Sequence, residues 1–189
     1  FSILLICLYI WLRFDFWAGI TAVVAVGHDV FALLGFLAIL DLIVSALGLN
    51  FDVKFSLTTI TAFLTLVGFS INDTIVILDR IREEMALAKS KDYTPEIVNL
   101  AINKTLSRTF LTSATVFLCV FVLFVGSFYG LTAIQGFSVA LLFGVLAGTY
   151  SSVFVAAPLL LCDRRKTYSM LGGMALFFLV TAIISFVRG

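Results

Sequence analysis

Long apolar runs are the feature that most constrains this chain. A helix needs about 20 apolar residues to cross a bilayer, and all but the first of six runs reach that length. Because 62% of the residues are hydrophobic and 12% are charged, the chain lacks the polar surface of a soluble domain, which is typically about 25% charged. The sequence therefore predicts an all-α integral membrane helix bundle. The runs cover residues 1–12, 16–49, 55–78, 110–129, 134–162 and 168–187.

Lysine and arginine residues fall mainly on one side of the predicted bundle. Alternate connections between spans share a side, so Arg13, the segment 80–108 and the cluster 163–166 lie together and hold 10 of the 12 basic residues. Lys54 and Arg188 fall on the other side. Since cytoplasmic loops carry the excess of basic residues, we expect 80–108 and 163–166 to be cytoplasmic.

The charged segment 80–108 carries two helix signals. Residues 80–89 continue the third run as a charged helix. Thr94, Pro95 and Glu96 are typical of a helix start, with an N-cap residue, a proline at the first helical position and an acid in the first turn. We expect the helix from Pro95 to be amphipathic, to lie along the membrane surface and to lead into the fourth span.

Asp73 is an acidic residue inside an apolar run, where a charge is costly and commonly functional. It lies roughly 9 Å deeper than Asp79, which marks the cytoplasmic edge of the run, at 1.5 Å per residue. Arg108 begins the next, antiparallel span. A carboxylate at this depth beside a cation can bind and release protons, so we predict a direct or water-bridged pair of Asp73 and Arg108. Asn72 and Thr112 are the further candidate groups of this proton relay.

Two alternatives stay open at these positions. Arg108 at a span boundary can instead contact only lipid headgroups or helix-end carbonyls. The neighbouring His28 and Asp29 form a second polar point, which is either part of a proton route or a hydrogen bond that locks helix packing. Asp41 lies further toward the outer face and is assigned no role.

Small residues recur every four positions in the fifth run, at Gly144, Gly148 and Ser152. Residues of this size at this spacing let membrane helices approach closely. We interpret the three as helix-packing positions.

Motifs for enzymatic or metal chemistry are absent from the sequence. One histidine excludes a histidine-rich metal site, and Cys7, Cys119 and Cys162 lack the paired spacing of zinc or redox sites. The net charge of +1 provides no field that attracts nucleic acid. We therefore expect a transport protein, not an enzyme, with no metal and no cofactor other than protons as a coupling ion.

Four stretches of the sequence, in order, resemble the motifs of one family. Residues 68–83 read GFSINDTIVILDRIRE and are similar to the GYSxNDTVVVxDRIRE signature of the SecF family, within the resistance–nodulation–division superfamily. Residues 13–29 resemble its RF…HD element, 108–113 its RTxxTS element, and 136–158 its GF…GTYSSIFVA element. The resemblance covers most of residues 9–161.

The resemblance implies a fold, a function and partners. Residues 1–161 would form a resistance–nodulation–division-type transmembrane domain of five spans, the first truncated, as one half of a pseudo-symmetric SecD–SecF pair. The family consists of accessory subunits of the Sec protein translocase in the bacterial inner membrane, which use the proton gradient with SecD to promote polypeptide export. Its motifs place Asp73 and Arg108 on the proton path. The partners it implies are SecD, the SecYEG channel, the translocating polypeptide and membrane lipids, with YajC and YidC as further candidates.

The chain also departs from the family pattern. Phe69 replaces the usual tyrosine, and a first span and a periplasmic domain are expected upstream of residue 1. The last family span ends near Leu161, so residues 162–189 are interpreted as a basic stop and an extra C-terminal transmembrane helix. Two other functions remain open: a proton-driven exporter of small amphiphiles, and a structural translocon scaffold without proton coupling.

Overall fold

A computed structural model describes residues 16–48, 57–90, 92–129 and 134–161, and within these residues the protein forms four long helices. Each helix is long and apolar enough to cross a membrane. The predicted all-α membrane bundle is therefore confirmed. The helices are α1 (Phe16–Leu47), α2 (Leu57–Leu87), α3 (Pro95–Ser127) and α4 (Gln135–Ser151), which continues through a π-helical turn (Ser152–Ala156) into a last turn (Ala157–Leu159).

The charged segment between the second and third described helices differs from its prediction in one respect. α2 extends to Leu87, as the continuation of the third run predicts. The helix from Pro95, however, runs without a break to Ser127, so it is the beginning of α3 and does not form a separate helix along the membrane surface. Its first turns are held by packing, because Val98 and Ala101 are buried in the same apolar cluster as Ile81 of α2.

Several predicted features lie outside the described residues. They are the first and sixth apolar runs, Lys54, Cys7, Cys162 and the basic cluster 163–166.

The second and fourth helices form the centre of the bundle. α2 and α4 pack against each other, and each also packs against α1 and α3. The most apolar window of each of these two helices is 44% buried inside the protein, against 17% for α1 and α3. The flanking helices therefore leave most of their apolar surface for lipid or for another protein.

The close approach of α2 and α4 depends on glycines. A Cβ atom added at Gly144 would lie 3.0 Å from Leu66 Cδ1, and one added at Gly148 would lie 3.3 Å from Ser70 Cβ. Side chains at these positions would push the two helices apart. The structure thus places both glycines of the small-residue pattern against α2.

Buried polar groups lie among the residues of two apolar clusters. One cluster includes Leu33, Leu66 and Leu141, and the other is formed nearer the charged ends of α2 and α3. Buried hydroxyl and carboxyl side chains are interleaved with these apolar residues along the helices. These are Asp29 of α1, Ser70, Asp73 and Thr74 of α2, Ser113 of α3, and Ser152 of the π turn.

The helix widens into a π turn at Ser152–Ala156, two residues before Pro158. Pro158 has no N–H group and so cannot donate to the carbonyl one turn before it. Such single wide turns inside α-helices are frequent at functional sites, and this one packs against α2 beside the buried polar groups.

Candidate functional site

The site centres on Asp73, which lies in the middle of α2 and is 3% exposed. Ser113 Oγ of α3 lies 3.4 Å from Asp73 Oδ2 and donates to it. Thr149 Oγ1 of α4 lies 2.7 Å from Ser113 Oγ. Hydrogen bonds thus connect the carboxyl group of α2 to two further helices through two hydroxyl groups.

Arg108 lies on α3, five residues before Ser113, and its side chain is exposed. No ion pair within 4.0 Å joins it to Asp73. A direct pair of the two residues is therefore not formed in this structure. The partner that does touch Asp73 is Ser113.

Asn72 and Thr112, the other two predicted relay residues, do not share the buried face of Asp73. Both are exposed, and the Thr112 hydroxyl donates to the backbone of its own helix, at Arg108 O (3.1 Å) and Thr109 O (3.0 Å). Consecutive residues of an α-helix point about 100° apart, so a neighbour in sequence lies on another face. Ser113, one position further along, is the hydroxyl that faces the acid.

Asp29 forms a second buried polar contact, from α1. It is 1% exposed, and Ser70 Oγ of α2 donates to its Oδ2. His28 Nδ1 lies 3.2 Å from the other oxygen, Oδ1. The predicted His28–Asp29 point therefore includes an interhelical hydrogen bond, which joins α1 to α2 one turn from Asp73.

Thr74 supplies a third interhelical contact from the same turn of α2. Its Oγ1 lies 3.1 Å from Ser152 Oγ in the π turn, and Ser152 also donates to Gly148 O at 2.9 Å. One turn of α2 therefore holds polar contacts to all three other helices. Four hydroxyl residues involved here were not among the predicted relay residues, although the first three stand close to Asp73 or Thr112 in the sequence: Ser70, Thr74, Ser113 and Thr149.

A groove between α3 and α4 opens onto the hydroxyl groups next to Asp73. It has a volume of about 360 Å³, and Ser113 and Thr149 lie in its lining beside Thr109. Thr109 is 2% exposed, and its Oγ1 has no hydrogen-bond partner. The lining thus combines three hydroxyl-bearing residues with a larger number of apolar ones. The wall residues are Leu106, Phe110, Ala114, Phe117, Val145, Leu146, Tyr150, Val153 and Phe154.

The charged ends of α2 and α3 are joined outside the apolar region. Glu84 is buried and lies 2.7 Å from Lys104 Nζ of α3 and 2.7 Å from Arg80 Nη2 of its own helix. The hydrogen bond from Lys104 holds the pKa of Glu84 below its usual value of 4.5. This cluster fixes the two helices relative to each other at their charged ends.

A metal centre is not formed by the part of the chain that the structure describes. Within it, no three histidine, cysteine or acidic side chains lie together in a way that could hold a metal ion.

Comparison with known proteins relates this arrangement to protein export. Residues 1–166 match the family model described as protein export membrane protein SecD/SecF, C-terminal. The chain is 45% identical over 169 residues to protein translocase subunit SecF of Rickettsia felis, covering 89% of this chain and 50% of the relative. It is 46% identical over 166 residues to the subunit of that name from Rhodothermus marinus, covering 87% and 51%.

A solved structure shows the same fold. The crystal structure of SecDF in its super-membrane-facing form matches with a TM-score of 0.68 and 38% identity, over 89% of this chain and 21% of that one. The chain spans about half the length of the curated relatives it matches.

Proposed function

This chain belongs to the SecD/SecF family of protein-export membrane proteins, and from this membership we propose that it forms the membrane domain of an accessory subunit of the Sec protein translocase. In this proposal the subunit acts with SecD in the bacterial inner membrane and uses the proton gradient to promote polypeptide export. Its charged segment 80–108 faces the cytoplasm, in accord with the excess of basic residues on that side.

The observation that carries the proposal is the burial of Asp73 between membrane helices. A charged carboxylate at this depth is costly, and its neutral form is not. Proton uptake would therefore change the interaction of Asp73 with Ser113 and the attraction of Arg108. A bound proton shifts a conformational balance only through such a difference between states, and here the difference falls between α2 and α3.

The exposed apolar faces of the bundle support the proposal that a partner subunit binds there. The match covers 21% of the similar SecDF chain, so most of that chain lies outside the region matched here. We propose SecD as the direct partner and the SecYEG channel, with YajC or YidC, as the larger assembly. Arg108 and Asn72 lie on exposed surface and are available to such a partner.

The test is the variant Asp73→Asn, which removes the titratable group and keeps the size of the side chain. We expect the variant to insert and to lose the stimulation of export by the proton gradient. Export of a secreted precursor is measured with and without the gradient, in membranes that contain the full-length protein, SecD and SecYEG. Asp41→Asn is the matched control, because Asp41 is an exposed acid in an apolar helix.

Two results would contradict the proposal. Full gradient-dependent stimulation in Asp73→Asn would remove Asp73 from the coupling. A variant that assembles poorly but retains the gradient dependence of the assembled fraction would favour the structural scaffold instead.

A further inference from the structure

The α3–α4 groove carries large aromatic side chains on both of its rims. Phe110 of α3 is 71% exposed, and Tyr150 and Phe154 of α4 are 58% and 65% exposed. The rings of Tyr150 and Phe154 stack with their centroids 5.1 Å apart, so the two side chains form one continuous rim. A groove of this kind between two helices is a surface into which the side chains of a further helix can pack.

The groove faces away from Arg108. Consecutive residues of a helix point about 100° apart, so Arg108 and Phe110, the neighbours of Thr109 on either side, lie on opposite flanks of α3. Phe110 belongs to the lining of the groove together with Thr109. The groove is therefore a different surface from the one that Arg108 offers to a partner subunit, and it is open to a different occupant.

The last turn of α4 brings the chain to the groove. This turn, Ala157–Leu159, packs against α3, so the chain leaves the bundle next to α3. Phe154, on the rim of the groove, lies roughly 10 Å before Leu161, the last described residue of α4, at 1.5 Å per residue. The segment that follows α4 therefore starts close to one end of the groove.

The sequence after α4 has the length and polarity for a return into the groove. Residues 162–167 read CDRRKT and can span at most roughly 20 Å. Residues 168–187, the C-terminal segment, contain no charged residue and would be about 30 Å long as a helix, which matches the hydrocarbon core of a bilayer. Because short connections join antiparallel neighbours in helix bundles, a helix over this segment would run back beside α4.

The beginning of the C-terminal segment has small residues of the kind that close helix packing requires. Ser169, Gly172 and Gly173 are spaced three and four residues apart, which places them on one face of a helix. Small residues let membrane helices approach each other closely. In an antiparallel arrangement this face would meet the protruding rings of Phe110 and Phe154.

We propose that the C-terminal segment packs as a helix into the α3–α4 groove, antiparallel to α4, with its small residues against the aromatic rims. The proposal goes beyond the proposed function and does not depend on proton coupling. It gives the segment beyond the last family span a place within this subunit. It also leaves the flank of α3 that carries Arg108 free for a partner.

Disulfide cross-linking in membranes tests this in the full-length protein assembled with SecD, with every native cysteine replaced by serine. Ser169→Cys, an almost isosteric change, is combined with either Phe110→Cys or Phe154→Cys. Two cysteines form a bridge when their Cα atoms lie within about 7 Å, so we expect oxidation to link both pairs within one chain. Trypsin cleaves the basic connection at 164–166, and a linked segment then stays attached until the disulfide is reduced.

Two matched controls make the result specific. Leu111 is 66% exposed, much like Phe110, but points about 100° further around α3. We expect Leu111→Cys to give about tenfold less product with Ser169→Cys, because a bridge beyond about 7 Å requires backbone movement. Ser185 lies about 24 Å further along the segment, so Ser185→Cys should stay unlinked to Phe154→Cys in the antiparallel arrangement.

A bulky substitution tests the small-residue face. Gly173→Leu should lower the yield of the bridge between positions 169 and 154 several-fold, because a large side chain there separates the helices. An unchanged yield, equal linking of Leu111→Cys and Phe110→Cys, or bridges formed only between two chains would each overturn the docking. Failure of position 169 to link to either rim would also overturn it and would leave the groove to lipid. Each of these results leaves the proposed function intact, since that function is tested by Asp73→Asn.

Discussion

Lys104 of α3 and Glu84 of α2 are joined by a 2.7 Å contact between Nζ and Oε1, which links the two helices at their charged ends. Glu84 is buried, whereas the Lys104 side chain is 41% exposed. The contact therefore combines a partly solvated cation with an acid that water reaches poorly.

The first prediction concerns the energetic coupling of this pair. Glu84→Gln and Lys104→Met should each lower the unfolding temperature, and the double variant should lose less than the sum of both, because residues in contact are not additive. Glu84→Gln should have the larger effect, since Glu84 also contacts Arg80. Thermal unfolding in detergent measures this, with Lys89→Met, an exposed lysine, as control. Additive losses would show that the contact contributes nothing.

The second prediction is the pH dependence of stability that arises from Glu84. Its pKa is lowered in the folded protein, first of all by the hydrogen bond from Lys104. A group of this kind contributes stability that is present above its unfolded pKa and is lost as the pH falls through its folded pKa. We expect unfolding temperatures of the wild type and Glu84→Gln to converge below about pH 4.5. A difference that stays constant from pH 7 down to pH 3 would contradict this.

The third prediction compares glycines. Gly148→Ala should destabilise the bundle by about 1–3 kcal/mol through overpacking, because its new Cβ meets Ser70 Cβ, which cannot move without the α2 backbone. Gly144→Ala should cost less, since it meets the flexible end of Leu66. Gly68→Ala, with nothing within 4 Å of the added atom, should be neutral or stabilising. Chemical unfolding in mixed detergent measures the stability of the three variants. Equal stability of Gly148→Ala and Gly68→Ala would rule out the close approach of α2 and α4.

The fourth prediction concerns the bond between α1 and α2. Ser70→Ala would leave an oxygen of the buried Asp29 without its hydroxyl donor, and such a loss costs about 1–3 kcal/mol. Ser45→Ala, at an exposed serine of α1, should change stability little. The measurement is again unfolding in detergent. Equal stability of the two variants would mean that the bond to Asp29 has no net effect.

The helices and the buried acid could be read from the sequence because both follow from local pattern. Apolar runs with charged edges gave the bounds of α2 within a few residues, and an acid inside such a run must be sheltered by neighbouring helices. Asp73 is indeed buried. The continuity of α3 was not predicted, because a proline and charges before an apolar run are compatible both with a surface helix and with an extension of the span.

The partner of Asp73 could not be read in the same way. Thr112, Ser113 and Thr115 place hydroxyl groups on several faces of α3, so composition does not tell which face meets α2. The charge of Arg108 predicts it as the partner of Asp73. Its side chain is exposed, however, and Ser113 is the residue that contacts the acid. Cross-helix pairs such as Ser70 with Asp29 depend on how whole helices are rotated against each other, which no single helix encodes.

The wide turn at Ser152–Ala156 has a consequence for chain length. A π turn closes its hydrogen bonds over five residues where an α-helix uses four, so it holds one residue more than a regular helix of the same path. Deleting one residue there would restore a regular helix and keep Leu159 in register. The same deletion in α2 before Asp73 would rotate every later residue of the helix by about 100° about its axis and turn Asp73 toward another neighbour. We therefore expect single-residue deletions to be tolerated at the π turn and not in α2.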